Sequence, residues 1–437
     1  MKLAHGAIAL VALTASAFSA SQFVLPALFS VEYDQHAEAA LQTARLPVSP
    51  EGMASDVSPA LPPDTRETVR HIPLPQAQKI IYMTSCVVGT PSFRDGLVSF
   101  VEKSEANAII IDVKDFSGTL SYAPQAPAWK SAWDNARCGA RDMKEFIAAL
   151  HEKGIYVIAR ITVFQDPFYT SVHSEAAVKR ASDGAVWKDH KGLSFIDVGY
   201  EPYWDHLIEL STDAYNIGFD ELNFDYIRYP SDGNMSDIAF THSEGTKQEQ
   251  LEKFFMYLKK QLDDSARFDA VKHENTGREK NVPYTSADVF GMVTTNTDDL
   301  SIGQVLERTL PHFDFVAPMV YPSHYPPSFL GLGDPNKHVY KVIQYSMAEA
   351  VRRAKATTTP NDGFMHTRIG TSTPAIYTKP AYDPLKLRPW IQDFDYGGNY
   401  DIAEVRAQLQ ATYDVGLTSW MIWDPANRYT RGAYMQE

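Results

Sequence analysis

The 437-residue chain is short of cysteine, with only Cys86 and Cys138. Two thiols exclude a disulfide-built scaffold and a four-thiolate zinc site. Positive charge is also scarce. Lys and Arg total 40 against 54 Asp and Glu, for a formal net charge of −14. A nucleic-acid partner would call for a basic stripe, so none is expected. There is no HExxH, no Walker loop and no Rossmann fingerprint, so neither a metal nor a cofactor is expected. What remains is an ordinary globular composition, 44% hydrophobic and 22% charged, with 7 Trp, 23 Tyr and 22 Phe. Aromatic faces stack on sugars and nucleobases, but they also fill cores, and composition does not separate the two.

The N-terminus is apolar from Gly6 to Leu28 behind Lys2 and His5, and Ala17-Phe18-Ser19-Ala20 offers a small-residue cleavage site. Residues 1–31 therefore read as a secretory signal or, since the run is long enough to span a bilayer, as an uncleaved membrane anchor. Either places the rest of the chain outside the cytoplasm: periplasmic, extracellular, or anchored facing outward. Residues 32–75, rich in Ala, Pro, Ser and Asp, read as a linker or N-terminal arm. Sequence patterning says nothing about oligomeric state.

From residue 76 to 437 apolar runs alternate with helical stripes. The runs Lys79–Thr84, Ala108–Val113, Ile155–Ile161, Phe219–Tyr226, Ala287–Val293, Phe313–Val320, Leu387–Ile391 and Thr418–Trp423 are predicted strands. They are apolar on both faces, as buried parallel strands are. Leu251, Phe254, Phe255, Leu258 and Leu262 mark one intervening helix, and Ile302–Leu310 is another, shorter one. Eight strands alternating with helices define an α/β fold, a (β/α)8 TIM barrel. Little chain is left after Asp424 for an eighth helix, and the N-terminal arm is expected to cover that gap.

Chemistry in such a barrel sits where the strands end. Here those ends carry Asp112, Asp166, Asp225, Asp288, Asp393 and Asp424. One Asp after a strand is usually a helix cap. Six around one mouth point to a site. In Asn223-Phe224-Asp225-Tyr226 the alternation turns Asn223 and Asp225 to one side, and an inward Asp needs a cation, an Arg such as Arg228, or a substrate. Two carboxyls across a cleft framed by aromatics are the equipment of glycoside hydrolysis. Asp225 is the expected nucleophile or base and Asp288 the expected acid. Asp112, Lys114 and Arg228 are expected to bind substrate, with Asp112 and Arg228 also tuning the carboxyls. Asp393 and Asp424 are expected to hold sugar hydroxyls. Tyr321, Trp390 and Trp423 are candidate stacking platforms, with Trp187, Tyr229 and Tyr325 near them. The substrate class is then a polysaccharide or oligosaccharide. The alternative is a barrel that binds carbohydrate, or associates with a wall, without cleaving it. Cys86 and Cys138 fall on adjacent loops of the mouth, either as a disulfide or as two free thiols.

Four segments carry a resemblance: Phe219–Asp232 (FDELNFDYIRYPSD), Ser286–Gly291 (SADVFG), Arg388–Phe394 (RPWIQDF) and Trp420–Tyr429 (WMIWDPANRY). In this order they are similar to a bacterial family of glycoside hydrolase-type domains of uncharacterised function, distantly α-amylase-like. The similarity spans roughly residues 76 to 432. It implies a TIM barrel, a nucleophile at Asp225 and a proton donor on strand five. α-Amylase-like barrels usually have Glu there, whereas this chain has Asp288. The insertion between Arg353 and Leu387, with Tyr377, Lys379 and Tyr382, is expected to reshape the mouth.

Overall fold

The computed structural model describes residues 64–435. The signal or anchor over residues 1–31, and the linker as far as residue 63, lie outside the described residues. No helix among the described residues is long and apolar enough to cross a membrane.

Eight strands close into a barrel: β1 (Lys79–Met83), β2 (Ala108–Lys114), β3 (Tyr156–Thr162), β4 (Glu221–Asp225), β5 (Tyr284–Phe290), β6 (Phe315–Met319), β7 (Trp390–Gln392) and β8 (Trp420–Trp423). Every neighbouring pair is parallel, and β8 returns to β1 to close the ring. The sequence expectation of an α/β (β/α)8 TIM barrel is met. Alternation sorts each strand. Ile81, Ile109, Ile111, Val157, Ala159, Leu222, Phe224 and Val289 face outward into the helical layer, where they share one core with Leu251, Phe254, Phe255 and Leu258 of the helix Lys247–Leu262. A separate cluster fills the barrel interior, with Ile80, Tyr82, Ala108, Ile110, Tyr156, Ile158, Ala317, Trp390 and Met421. The Lys247–Leu262 helix starts at a capping box, Thr246 with Glu249, which satisfies backbone donors that its first turn leaves open.

Some boundaries differ from the sequence pattern. The fifth strand begins at Tyr284 and stops at Phe290, because Gly291–Thr294 winds into a 3-10 turn. The helix expected over 302–310 shrinks to Leu306–Thr309. The insertion forms a small antiparallel sheet of Thr358–Thr359, Thr367–Ile369 and Ile376–Thr378. It precedes β7, and neither Tyr377, Lys379 nor Tyr382 reaches the mouth cavities, so it does not reshape them. In place of an eighth helix, the single turn Arg431–Tyr434 buries Ala433 and Tyr434.

The described end of the arm does not cover that gap, and the compact unit that holds the barrel starts at Thr65. Thr68–Arg70 pairs in parallel with Lys272–Glu274, and Ile72 and Leu74 pack against the barrel's interior cluster. The anchor is Asp220, buried just before β4. Its carboxylate accepts from the Ile72 and Val157 backbone N–H groups at 2.9 and 2.8 Å and meets His71 at 3.3 Å and His151 at 3.0 Å. Burial alone would raise its pKa, but the hydrogen bonds with His151 and His71 hold it below the ordinary value. Its stabilisation is thus present above the unfolded pKa and is lost as pH falls through the folded one. Asp220→Ala strands four donors and is expected to cost about 3–5 kcal/mol in urea unfolding at pH 7, and much less at pH 3.

Candidate active site

The β4 and β5 interior is polar where the rest is apolar. A column of hydrogen bonds climbs it. At the floor, Arg388 and Glu221 form a fully buried ion pair. Ser286 Oγ donates to Glu221 Oε1 at 2.6 Å, and Asn223 Nδ2 donates to Ser286 Oγ at 3.0 Å. The same amide donates to Asp288 Oδ1 at 2.9 Å, as does Trp390 Nε1 at 2.8 Å. One Asp288 oxygen is therefore fixed from below and from β7. The other, Oδ2, is buried and accepts no hydrogen bond from the protein.

Arg160 organises the opposite side. It lies on β3 facing inward, in register with Asp112 on β2 and with Asn223 on β4, two residues before Asp225. Its Nη1 meets Asp112 Oδ1 at 2.6 Å, Nη2 pairs with Asp225 Oδ2, and Nε sits 3.7 Å from Asp288 Oδ2. A single guanidinium thus touches all three carboxyls. Asp112 also accepts from the Tyr82 hydroxyl. Asp225 Oδ1 accepts from the Tyr226 backbone N–H at 2.5 Å. Tyr226 adopts a left-handed backbone with φ of 51°. A bulky residue there is strained, and strain of this kind collects at functional sites. It ends the strand at Asp225 and breaks the alternation beyond it.

The two central carboxyls differ in environment. Burial and the neighbouring Asp225 push Asp288 up to about 7, against the opposing pull of Arg160. Asp225 instead holds an ion pair and a backbone donor. Burial likewise raises Asp112, with Arg160 and Tyr82 pulling the other way.

Asp225, Asp288 and Arg160 open on a cavity of about 290 Å³, walled by Tyr226, Phe290, Met292, Met319, Tyr321, Tyr325, Trp390 and Trp423. A second, more polar cavity of about 970 Å³ shares Arg160, Tyr226, Arg228 and Trp423 with it and runs over Asp112, Asp115, Arg137, Asp189 and Lys191. Among the expected site residues, Asp225, Asp288, Arg228, Tyr321, Trp390 and Trp423 line the first, and Asp112 lines the second. Tyr321, Phe394 and Trp423 pack as an aromatic group, Phe394 edge-on to the other two, with centroids 4.9 to 5.9 Å apart.

Three expected substrate ligands lie elsewhere. The β2–β3 register shifts between Asp112 and Lys114, and this irregularity sends Lys114 out of the interior. Its Nζ donates to Thr162 O at 2.6 Å and pairs with Asp166 at 2.9 Å. Asp393 accepts from the Thr430 N–H and the Tyr434 hydroxyl, which pins the final turn. Asp424 accepts from the Ala426 and Arg428 N–H groups, the ordinary capping role of such an Asp. Trp187 packs on Phe195 and Val178 in a satellite cluster, and Tyr229 is fully buried.

Arg160 was not among the expected site residues, although the sequence carries its signal. In Tyr156-Val157-Ile158-Ala159-Arg160-Ile161-Thr162 it shares a face with Tyr156 and Ile158. A charged residue on a strand otherwise apolar on both faces must have buried counter-charges. Arg228 lines the cavity but makes no ion pair with Asp225, whose cation is Arg160.

Cys86 and Cys138 form a disulfide between the loops after β1 and β2, at the edge of the second cavity. The cross-link closes 52 residues, for which loop-entropy reasoning gives about 4 kcal/mol. A reductant is expected to lower the urea midpoint of the wild type and to leave that of the double Ser variant unmoved.

A family model described as "Putative glycosyl hydrolase domain" matches residues 80–429. The chain belongs to that family of glycosyl hydrolase domains. No curated protein matches it. The glycoside hydrolase domain of PgaB (BpsB) from Bordetella bronchiseptica aligns with a TM-score of 0.52 and 12% identity, over 83% of this chain and 99% of that one. α-L-Fucosidase isoenzyme 2 from Paenibacillus thiaminolyticus gives 0.50 and 11%, over 84% and 47%. At these identities the likeness is one of fold. A hypothetical protein from Ruminiclostridium thermocellum is 30% identical over 44% of this chain and 95% of its own, with a TM-score of 0.37.

Proposed function

We propose that the chain is an exported glycoside hydrolase that cleaves a polysaccharide or oligosaccharide of the cell envelope or its surroundings. The observation that carries this reading is the unequal pair Asp225 and Asp288, set around one guanidinium at the end of β4 and β5. One guanidinium touching both keeps them within the roughly 10 Å that glycosidase pairs span.

The division of labour follows from environment. Asp288, pushed to about 7, holds a proton near neutrality. Asn223 and Trp390 occupy Oδ1, so the proton belongs on Oδ2, the oxygen with no protein donor. That proton goes to the leaving glycosidic oxygen. Asp225, paired with Arg160, attacks the anomeric carbon or activates water there. Its negative charge also stabilises the oxocarbenium-like transition state. Trp423, Tyr321 and Trp390 supply apolar faces against which a sugar ring can stack. The N-terminal segment supports export, as a cleaved signal or as an anchor.

The test is a polysaccharide digestion screen run with Asp225→Asn beside the wild type. Wild-type turnover on a glycan and its loss in the variant, with an unchanged melting temperature, is the expected result. Binding of a glycan by both proteins with cleavage by neither would instead identify a carbohydrate-binding barrel.

A further inference from the structure

Arg228 is nine-tenths buried and lines both cavities of the mouth. Its guanidinium lies 4.9 Å from the Tyr226 ring centroid and 4.7 Å from that of Phe290. Nη1 donates to Tyr229 O at 3.0 Å and to Ser231 Oγ at 3.2 Å. These contacts fix the plane of the group. The Nε–Nη2 edge has no protein acceptor, and neither atom is sealed from solvent, so this edge opens on the cavity. No carboxylate among the described residues pairs with it. Asp225 is taken by Arg160, and Asp232 faces His190. Asp189, on the wall of the second cavity, accepts from the Lys191 and Leu193 N–H groups.

A buried cation without a directly paired counter-ion is costly, and burial pulls Arg228 below the ordinary guanidinium range although Tyr226, Asp225, Asp189 and Asp232 act the other way from a distance. The two-donor edge left open matches a carboxylate, which such a fork binds bidentately. The neutral hydroxyls of a plain hexose would leave the charge uncompensated. We propose that Arg228 is a specificity residue for an acidic sugar, and that the substrate carries a carboxylate, as in a uronic acid, beside the scissile bond. This rests on the glycosidase reading of the same mouth and adds the substrate class to it. The adjacent Tyr226 and Phe290 rings help exclude water from the pair and strengthen it.

The experiment measures binding of D-glucuronate, D-glucose and glucose 6-phosphate to the full-length Asp225→Asn protein and to the same protein carrying R228Q or R228K. Glucuronate is expected to bind at least tenfold tighter than glucose. R228Q should bring that ratio close to one. R228K keeps the charge but not the fork, and should lower the ratio at least threefold, which keeps the test decisive if R228Q fails to fold. Equal affinity for glucuronate and glucose, a preference that survives in both variants, or tighter binding of glucose 6-phosphate than of glucuronate would each overturn the carboxylate assignment. Equal turnover of a uronate polysaccharide and its carboxyl-reduced counterpart would sink this inference alone. Arg228-dependent glucuronate binding with no cleavage of any glycan would sink the glycosidase reading alone.

Discussion

Asp288→Asn is expected to lower kcat on an unactivated glycan by about 10²–10⁴-fold while making the protein more stable at alkaline pH. The two effects share one cause. The folded carboxyl sits at about 7, above the ordinary 3.8 of an Asp. Between those limits the native state binds more protons than the unfolded chain. Stability conferred by the neutral form is therefore full below the unfolded pKa and is lost as pH rises through about 7. Asn removes the penalty of ionising this buried group. The variant should thus gain about 4 kcal/mol over the wild type at pH 8 and little at pH 4. Wild-type kcat/KM should fall along an alkaline limb near pH 7, with the pair titrating as a unit. A sugar with an acidic phenol as leaving group needs little protonation. On that substrate the variant should recover most of its rate and lose the limb. An unchanged pH profile, or an equal loss on both substrates, would remove Asp288 from the acid role.

The barrel was legible because short runs apolar on both faces, such as Ala108-Ile109-Ile110-Ile111, alternate with amphipathic helical stripes, as buried parallel strands and their crossover helices do. Asp225 and Asp288 were legible for the same reason, being polar residues on strands otherwise apolar on both faces. Lys114 obeyed that rule in sequence and broke it in space, because the register shift after Asp112 turns it outward. Asp424 and Asp393 show the limit of counting carboxylates at strand ends, since local backbone donors take up Asp424 and the distant Thr430 N–H and Tyr434 hydroxyl take up one oxygen of Asp393. The packed arm was hidden for a different reason. Thr68–Arg70 is too short to show periodicity, and its hold on the barrel lies in Asp220, a residue 148 positions from its backbone partner Ile72. Contacts at that separation leave no trace in a local pattern. Arg160 was legible in principle. Its inward position followed from alternation, but its three partners come from three other strands, and only closure of the ring brings them to one guanidinium.

That convergence makes Arg160→Met the most damaging single change expected in the molecule. Three carboxyls lose their common cation, and breaking such a buried network typically costs about 3–5 kcal/mol. The cost should appear at pH 7 in urea unfolding and shrink as acid neutralises the orphaned groups. Activity should fall as well, because Asp225 would lose the ion pair that orients it at the reacting centre. Asp112→Asn separates these effects. Asp112 draws Arg160 by its Nη1 and accepts from Tyr82, and it has no step of its own in the proposed chemistry. With Asp112 neutral, the charge of Arg160 acts on the remaining pair alone, and Arg160 already pulls Asp288 downward. The alkaline limb of kcat/KM should therefore move to lower pH in Asp112→Asn, whereas any residual activity in Arg160→Met should show it moved to higher pH. Opposite shifts from two variants of one ion pair are not produced by loosened packing, which would leave the limb in place and lower its height. Limbs that stay together in all three proteins would mean that Arg160 braces the barrel and does not set the protonation of its acid.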